Sequence, residues 1–171
     1  MCFRDSEQVR DDTQRWLFEP WGGRRIVGPA TEALAEGTAA GLFTGGNLSL
    51  LAGGLGAPEA AESPGGILFL EDINEDIYRL DGFLLQLRRS GRLSAASGIV
   101  LGSWHGCADL VGVRALMHEY LADLGVPVLW EQGFGHDPNA LSVPLNVTGT
   151  MRASFGGSDH GVSLVVDEDP A

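Results

Sequence analysis

Cysteine is nearly missing from this chain: Cys2 and Cys107 are the only two in 171 residues. Two thiols cannot build a disulfide framework, and neither stands at metal-ligand spacing. Cys2 reads as an exposed thiol and Cys107 as a small buried residue. Positive charge is also scarce. Eleven Lys and Arg against 23 Asp and Glu leave a formal net charge of −12. That balance excludes a nucleic-acid groove or an anionic membrane surface as the main partner. No apolar run approaches the roughly 20 residues that a membrane-spanning helix needs. The opening Met1-Cys2-Phe3-Arg4-Asp5-Ser6-Glu7 lacks the basic start and apolar segment of a signal peptide. The expected location is therefore the cytoplasm.

Glycine, by contrast, is abundant. The chain has 25, where average usage would give roughly 12. They fall between apolar runs without a fixed period, as tight turns do. The length suits one ordinary domain.

Residues 1–40 are polar and weakly periodic. Asp11, Asp12 and Thr13 predict the start of a short helix through Phe18, ended by Pro20. Ile26-Val27 reads as a short strand. Trp16, Phe18 and Trp21 are large aromatics with little core of their own, and must lean on the body of the domain or on a neighbour. From Leu34 the pattern becomes regular. Residues 39–44 read as a strand and Gly45-Gly46-Asn47 as a tight turn, with Asn47 capping a helix through Leu51. Such a junction could bind an anion, but one Gly-Gly-Asn is far less specific than a phosphate loop, and a plain turn is the simpler reading.

Gly65-Gly66 then releases Ile67-Leu68-Phe69-Leu70, a buried strand ending on Glu71-Asp72. Apolar residues at 77, 80, 84 and 87 predict a helix closed by Arg88, Arg89 and Gly91. Residues 98–104 are a second buried strand, 109–124 a helix stopped by Gly125, and 126–130 a further strand. Gly133-Phe134-Gly135-His136 follows. Residues 141–153 and 162–166 alternate around Gly156-Gly157-Ser158-Asp159, the pattern of an antiparallel hairpin. The fold class is mixed α/β with a closing hairpin.

Glu71 and His136 each follow a short apolar strand. If those strands run in the same direction in one sheet, both side chains emerge at one edge. A carboxylate beside an imidazole is the orienter-and-base half of a Ser-His-acid triad. Taken alone, Glu71 and Asp72 could instead simply cap the helix that follows. A metal set of His105, His136 and Glu71 or Asp109 is the rival constellation, but no pair has the close helical spacing of a zinc motif. No metal and no cofactor are expected. His118 and His160 read as solvated.

The ordered set Gly41-Leu42-Phe43-Thr44-Gly45-Gly46-Asn47-Leu48, residues 66–72, Tyr78-Arg79-Leu80-Asp81, residues 98–102 and Gly135-His136-Asp137-Pro138-Asn139 resembles the C-terminal domain of the LD-carboxypeptidase family of serine peptidases. That family also contains the microcin C self-immunity peptidases. The resemblance covers roughly residues 34–150. It implies a swivelling β/β/α domain spanning 34–171, preceded by a residual interdomain connection over 1–33. It implies a Ser-Glu-His triad whose glutamate is Glu71 and whose histidine is His136, acting on the amide bond to a terminal D-amino acid in a murein or other small peptide. In the family the nucleophilic serine lies in an N-terminal domain. Nothing here matches its elbow: Ser6 and Ser49 both lack Gly-x-Ser-x-Gly surroundings. The chain alone is therefore expected to be inactive. A serine-bearing domain or subunit is the implied partner, and a homodimer is left open. The alternatives are a non-catalytic truncated or decayed copy, suggested by exposed Trp16 and Trp21, or a fragment of a microcin-immunity-like peptidase. Gly82 replaces an arginine common in the family, and Asn146 a glycine.

Overall fold

The computed structural model describes residues 7–26, 28–58, 65–155 and 161–167. Cys2, Ser6, Val27, the 156–160 turn with His160, and the acidic tail lie outside the described residues.

The centre is four parallel strands, each added beside the last: β2 (Gly37–Asn47), β3 (Ile67–Ile73), β4 (Gly98–His105) and β5 (Val128–Trp130). The crossovers carry α2 (Leu48–Gly53), α3 (Ile77–Arg89) and α4 (Leu110–Leu121), as parallel connections require. Short β1 (Glu32–Ala35) flanks β5 antiparallel. The hairpin β6 (Thr148–Ala153) and β7 (Val162–Val166) flanks β2. The full order is β1-β5-β4-β3-β2-β6-β7.

Only Glu36 separates β1 from β2, yet three strands stand between them in the sheet. In a flat sheet they would lie about 19 Å apart, whereas two residues reach at most about 7 Å. The sheet therefore curls until it is nearly closed.

Curling divides the core in two. Along β3, even-numbered Leu68 and Leu70 face the helices, packing with Leu80, Leu84 and Leu87 of α3 and Met117 of α4. Odd-numbered Ile67 and Phe69 face inward, with Phe43, Val100, Met151 and Leu164. This is the period-two alternation of a strand buried on both sides.

Several expectations are corrected. Gly45-Gly46 is not a turn: β2 runs through Asn47, and a Cβ at Gly45 would sit 2.0 Å from the Phe69 carbonyl oxygen. Glycine is there so that two backbones can approach. Asn47 does cap α2, accepting from the Leu50 amide. The first helix, α1 (Glu7–Phe18), starts four residues before Asp11. Trp16 is buried, with Arg24 stacked 4.6 Å from its ring centroid and Trp21 edge-on at 6.1 Å. Exposed apolar surface on α1 is Leu17 and Phe18 instead. The segment around Ile26 pairs with β7. Residues 141–147 are irregular, so the hairpin begins only at Thr148, and the 3₁₀ turn Ala122–Leu124 completes the α4 pattern before Gly125 (φ 68°).

Candidate active site

Alternation decides what Glu71 and Asp72 do. Following Phe69, Glu71 points to the inner side of the sheet. Following Leu70, Asp72 points to the helix side. Asp72 does not start α3, whose N-cap is Asp76. Its buried carboxylate accepts from the Asn47 side-chain amide and the Ser49 backbone amide, each at 2.9 Å. The start of α2, which could have bound an external anion, instead receives a carboxylate of the chain itself.

Glu71 is buried, and its Oε2 lies 2.7 Å from Nδ1 of His136. The two strands that deliver them, β3 and β5, are parallel to β4 between them, so both residues reach the same sheet edge. His136 itself lies six residues beyond β5, in a loop. The imidazole is about half exposed (48%) while the carboxylate is nearly inaccessible (6%). A buried acid bonded to one ring nitrogen of an accessible histidine fixes that ring and leaves Nε2 available. Among the described residues no side chain hydrogen-bonds Nε2.

The loop is held by β4. Ser103 N donates to the Phe134 carbonyl at 2.7 Å, and Ser103 Oγ accepts from the amides of His136 (3.1 Å) and Asp137 (3.2 Å). Ser103 occupies this position because of a bulge. Leu70 pairs with Leu101, but Asp72 pairs with Trp104, so β4 carries one extra residue at Gly102-Ser103. Bulges re-aim side chains in this way. Between the anchors, Gly135 has φ 113°, and a Cβ there would lie 2.7 Å from both Glu71 Oε2 and Ser103 Oγ. Phe134 packs edge-on against Phe69 at 5.3 Å, seating the loop on the inner core.

Glu71 and His136 line a pocket of about 240 Å³, whose walls are Phe69, Phe134, Val143 and Leu145. On the other side of the loop a wider cavity of about 800 Å³ takes in Ser103, His105, Asp109, Glu131 and Asp137. There His105 Nδ1 faces Asp137 at 3.7 Å, not His136. The two histidines of the rival metal set are thus directed to different carboxylates. No group of three His, Cys, Asp or Glu among the described residues is placed to hold a metal. Burial, with nearby Asp72, Glu75 and Glu71, pushes the half-buried Cys107 thiol up against a weaker opposing bond from the Glu75 amide. It stays protonated near neutral pH and is a poor nucleophile. Burial likewise raises the Glu131 carboxyl, helped by Asp137 and Glu32. His118 is exposed.

The sequence reading missed Ser103 and Gly135. The signal was a glycine inside an apolar strand pattern, Gly102, which marks a bulge. Of the two departures noted above, Asn146 sits at φ 63°, where glycine is favoured and asparagine is the tolerated substitute. Gly82 faces open space.

Residues 40–151 match the family model for the LD-carboxypeptidase C-terminal domain. A putative carboxypeptidase of Streptomyces coelicolor is 41% identical over 155 residues, covering 90% of this chain and 50% of the relative. A probable murein peptide carboxypeptidase of Bacillus subtilis is 34% identical over 133 residues, covering 75% and 41%. The crystal structure of muramoyltetrapeptide carboxypeptidase from Oxalobacter formigenes superposes with a TM-score of 0.78 at 26% identity, over 97% of this chain and 56% of that one. The chain spans about half the length of the curated relatives it matches. No helix among the described residues is long and apolar enough to cross a membrane.

Proposed function

This chain belongs to the LD-carboxypeptidase family, and from that premise we propose that it is the acid- and base-bearing domain of a serine peptidase acting on murein peptides. The bond cleaved is the amide to a terminal D-amino acid. His136 is the general base and then the general acid, and Glu71 is its orienter. The carboxylate accepts from Nδ1–H, so the Nε2 lone pair takes the proton of an incoming serine hydroxyl as the hydroxyl attacks the scissile carbonyl. The imidazolium so formed is stabilised by Glu71 and returns its proton to the departing D-amino acid nitrogen. Water then repeats the sequence to release the peptide from the acyl-serine.

The observation that carries this reading is the 2.7 Å contact between a buried carboxylate and a half-exposed imidazole at the pocket. The serine and the oxyanion hole come from a second domain or subunit, whose connection is residues 1–33, with the domain proper over 34–171. The setting is cytoplasmic and the substrate a murein or other small peptide. The reading as a non-catalytic copy loses part of its basis, because Trp16 is packed inside the fold.

The test is release of D-alanine from murein tetrapeptide. The chain alone should release none, since a triad acts as a unit, and adding a serine-bearing N-terminal half should restore release. Robust hydrolysis by the chain alone would sink the proposal that its nucleophile lies elsewhere.

A further inference from the structure

Ser103 has no place in a Ser-His-acid scheme, yet it makes more of the contacts that hold the His136 loop than any other side chain described above. Its backbone N–H bonds Phe134, and its hydroxyl oxygen accepts from two consecutive amides, those of His136 and Asp137. It is 8% exposed, so water cannot readily substitute for it. It stands on a strand, the most rigid support available, and the bulge at Gly102-Ser103 turns it to the inner side where Glu71 also lies. A Cβ at Gly135 would meet Glu71 Oε2 and Ser103 Oγ at the same distance, 2.7 Å. The acid that holds the ring and the hydroxyl that holds the backbone therefore grip the same residue from adjacent points.

We propose that Ser103 is a positioning residue for His136: its hydroxyl fixes the backbone of residues 136–137 so that the imidazole meets Glu71 through Nδ1. The inference rests on the reading of Glu71 and His136 as orienter and base. Two hydrogen bonds to the backbone set where the Cα–Cβ vector of His136 starts, and one hydrogen bond to the ring sets where it ends. Loss of the hydroxyl leaves the ring bond without a fixed origin, and the ring then samples other orientations and the other tautomer.

The experiment is ¹⁵N NMR of the imidazoles in the histidine-labelled chain, with His136 assigned by its loss in His136→Gln. The parent should show one tautomer, protonated at Nδ1. Ser103→Ala should give averaged Nδ1 and Nε2 shifts, and Ser103→Thr, which keeps the hydroxyl, should restore the parent pattern. In the protein assembled with its serine-bearing half, Ser103→Ala should lower kcat by on the order of 10- to 100-fold with KM little changed, as small misplacements of a reacting group do. Should the alanine variant fail to fold by circular dichroism, Ser103→Cys fills the site with a weaker acceptor and carries the same comparison. Glu71→Gln separates the two ideas. If it averages the tautomers while a folded Ser103→Ala does not, the Ser103 proposal is overturned and the acid–base pair stands. If Glu71→Gln itself changes nothing, the pair on which the proposal rests is wrong.

Discussion

Replacing Gly135 with alanine should damage the site out of proportion to the single methyl added. The residue sits at φ 113°, outside the regions that L side chains adopt. That alone costs about 1–3 kcal/mol. The new Cβ would also lie 2.7 Å from Glu71 Oε2 and Ser103 Oγ and 3.0 Å from Glu71 Cγ. Carbon–oxygen contacts close no nearer than about 3.3 Å, so each oxygen must yield by about 0.6 Å. Only 6% of the Glu71 side chain is exposed, where it borders the pocket, so it has little room to move without leaving His136. Its retreat stretches the bond to His136, and a hydrogen bond to a charged group is worth about 1.5–3 kcal/mol. The expected loss is about 3–5 kcal/mol. Gly133→Ala is the control. It has φ 81°, but its Cβ would meet nothing nearer than 3.6 Å, so only backbone strain applies, about 1–2 kcal/mol. Thermal unfolding followed by circular dichroism should therefore place Gly135→Ala about 5–10 °C below Gly133→Ala. The His136 imidazole signals should change only in the former. Equal melting temperatures and an undisturbed imidazole in both would refute the crowding account.

Asp72→Ala leaves the partly buried Ser49 amide and Asn47 side-chain amide without their acceptor. It should cost about 3 kcal/mol, or about 6–12 °C in melting temperature. Glu131 has φ 56°, so Glu131→Gly should gain about 1 kcal/mol from relieved strain. Glu131→Gln isolates the charge. Because burial raises the folded carboxyl, its ionisation weakens the fold above that raised value, and the penalty disappears as pH falls to the usual carboxylate range. The stabilisation by glutamine, read from melting temperatures across pH, should follow that course. Tyr120 donates to Asp81 at 2.6 Å, and this bond, with desolvation and the Asp81 charge, pushes its phenol up to about 12. The stability it lends is complete below the ordinary phenol value near 10 and is lost as pH rises through about 12. The difference in phenolate absorbance between the parent and Tyr120→Phe should show that late step, and Asp81→Asn should move it down.

Much of the architecture was legible because it depends on runs of one kind of residue. Ile67–Leu70, residues 98–104 and the 77/80/84/87 helix stripe announce themselves by burial pattern, and parallel strands joined by helices deliver Glu71 and His136 to one edge. What was not legible depends on pairings between distant residues. Glu32–Ala35 has the composition of a helix turn and becomes a strand only because β5 offers an edge. Gly45-Gly46 reads as a turn, and only the closeness of the Phe69 backbone shows that it is strand. Asp72 reads as a cap for the helix after it, but strand alternation sends it to the helix before it. Trp16 could not be assigned a partner until Arg24 and Trp21 were seen around it. Ser103 owes its place to a one-residue bulge, which no periodicity reveals.

The central claim is that Glu71 and His136 work as one unit in peptide hydrolysis. It is tested most directly by kcat/KM for D-alanine release from murein tetrapeptide, with this chain joined to a serine-bearing half, in Glu71→Gln, His136→Ala and the double variant. The account predicts that His136→Ala lowers the rate by at least about 10³-fold and that adding Glu71→Gln lowers it no further, as members of a triad behave. A His136→Ala protein with near-parental activity, or losses that multiply in the double variant, would contradict it.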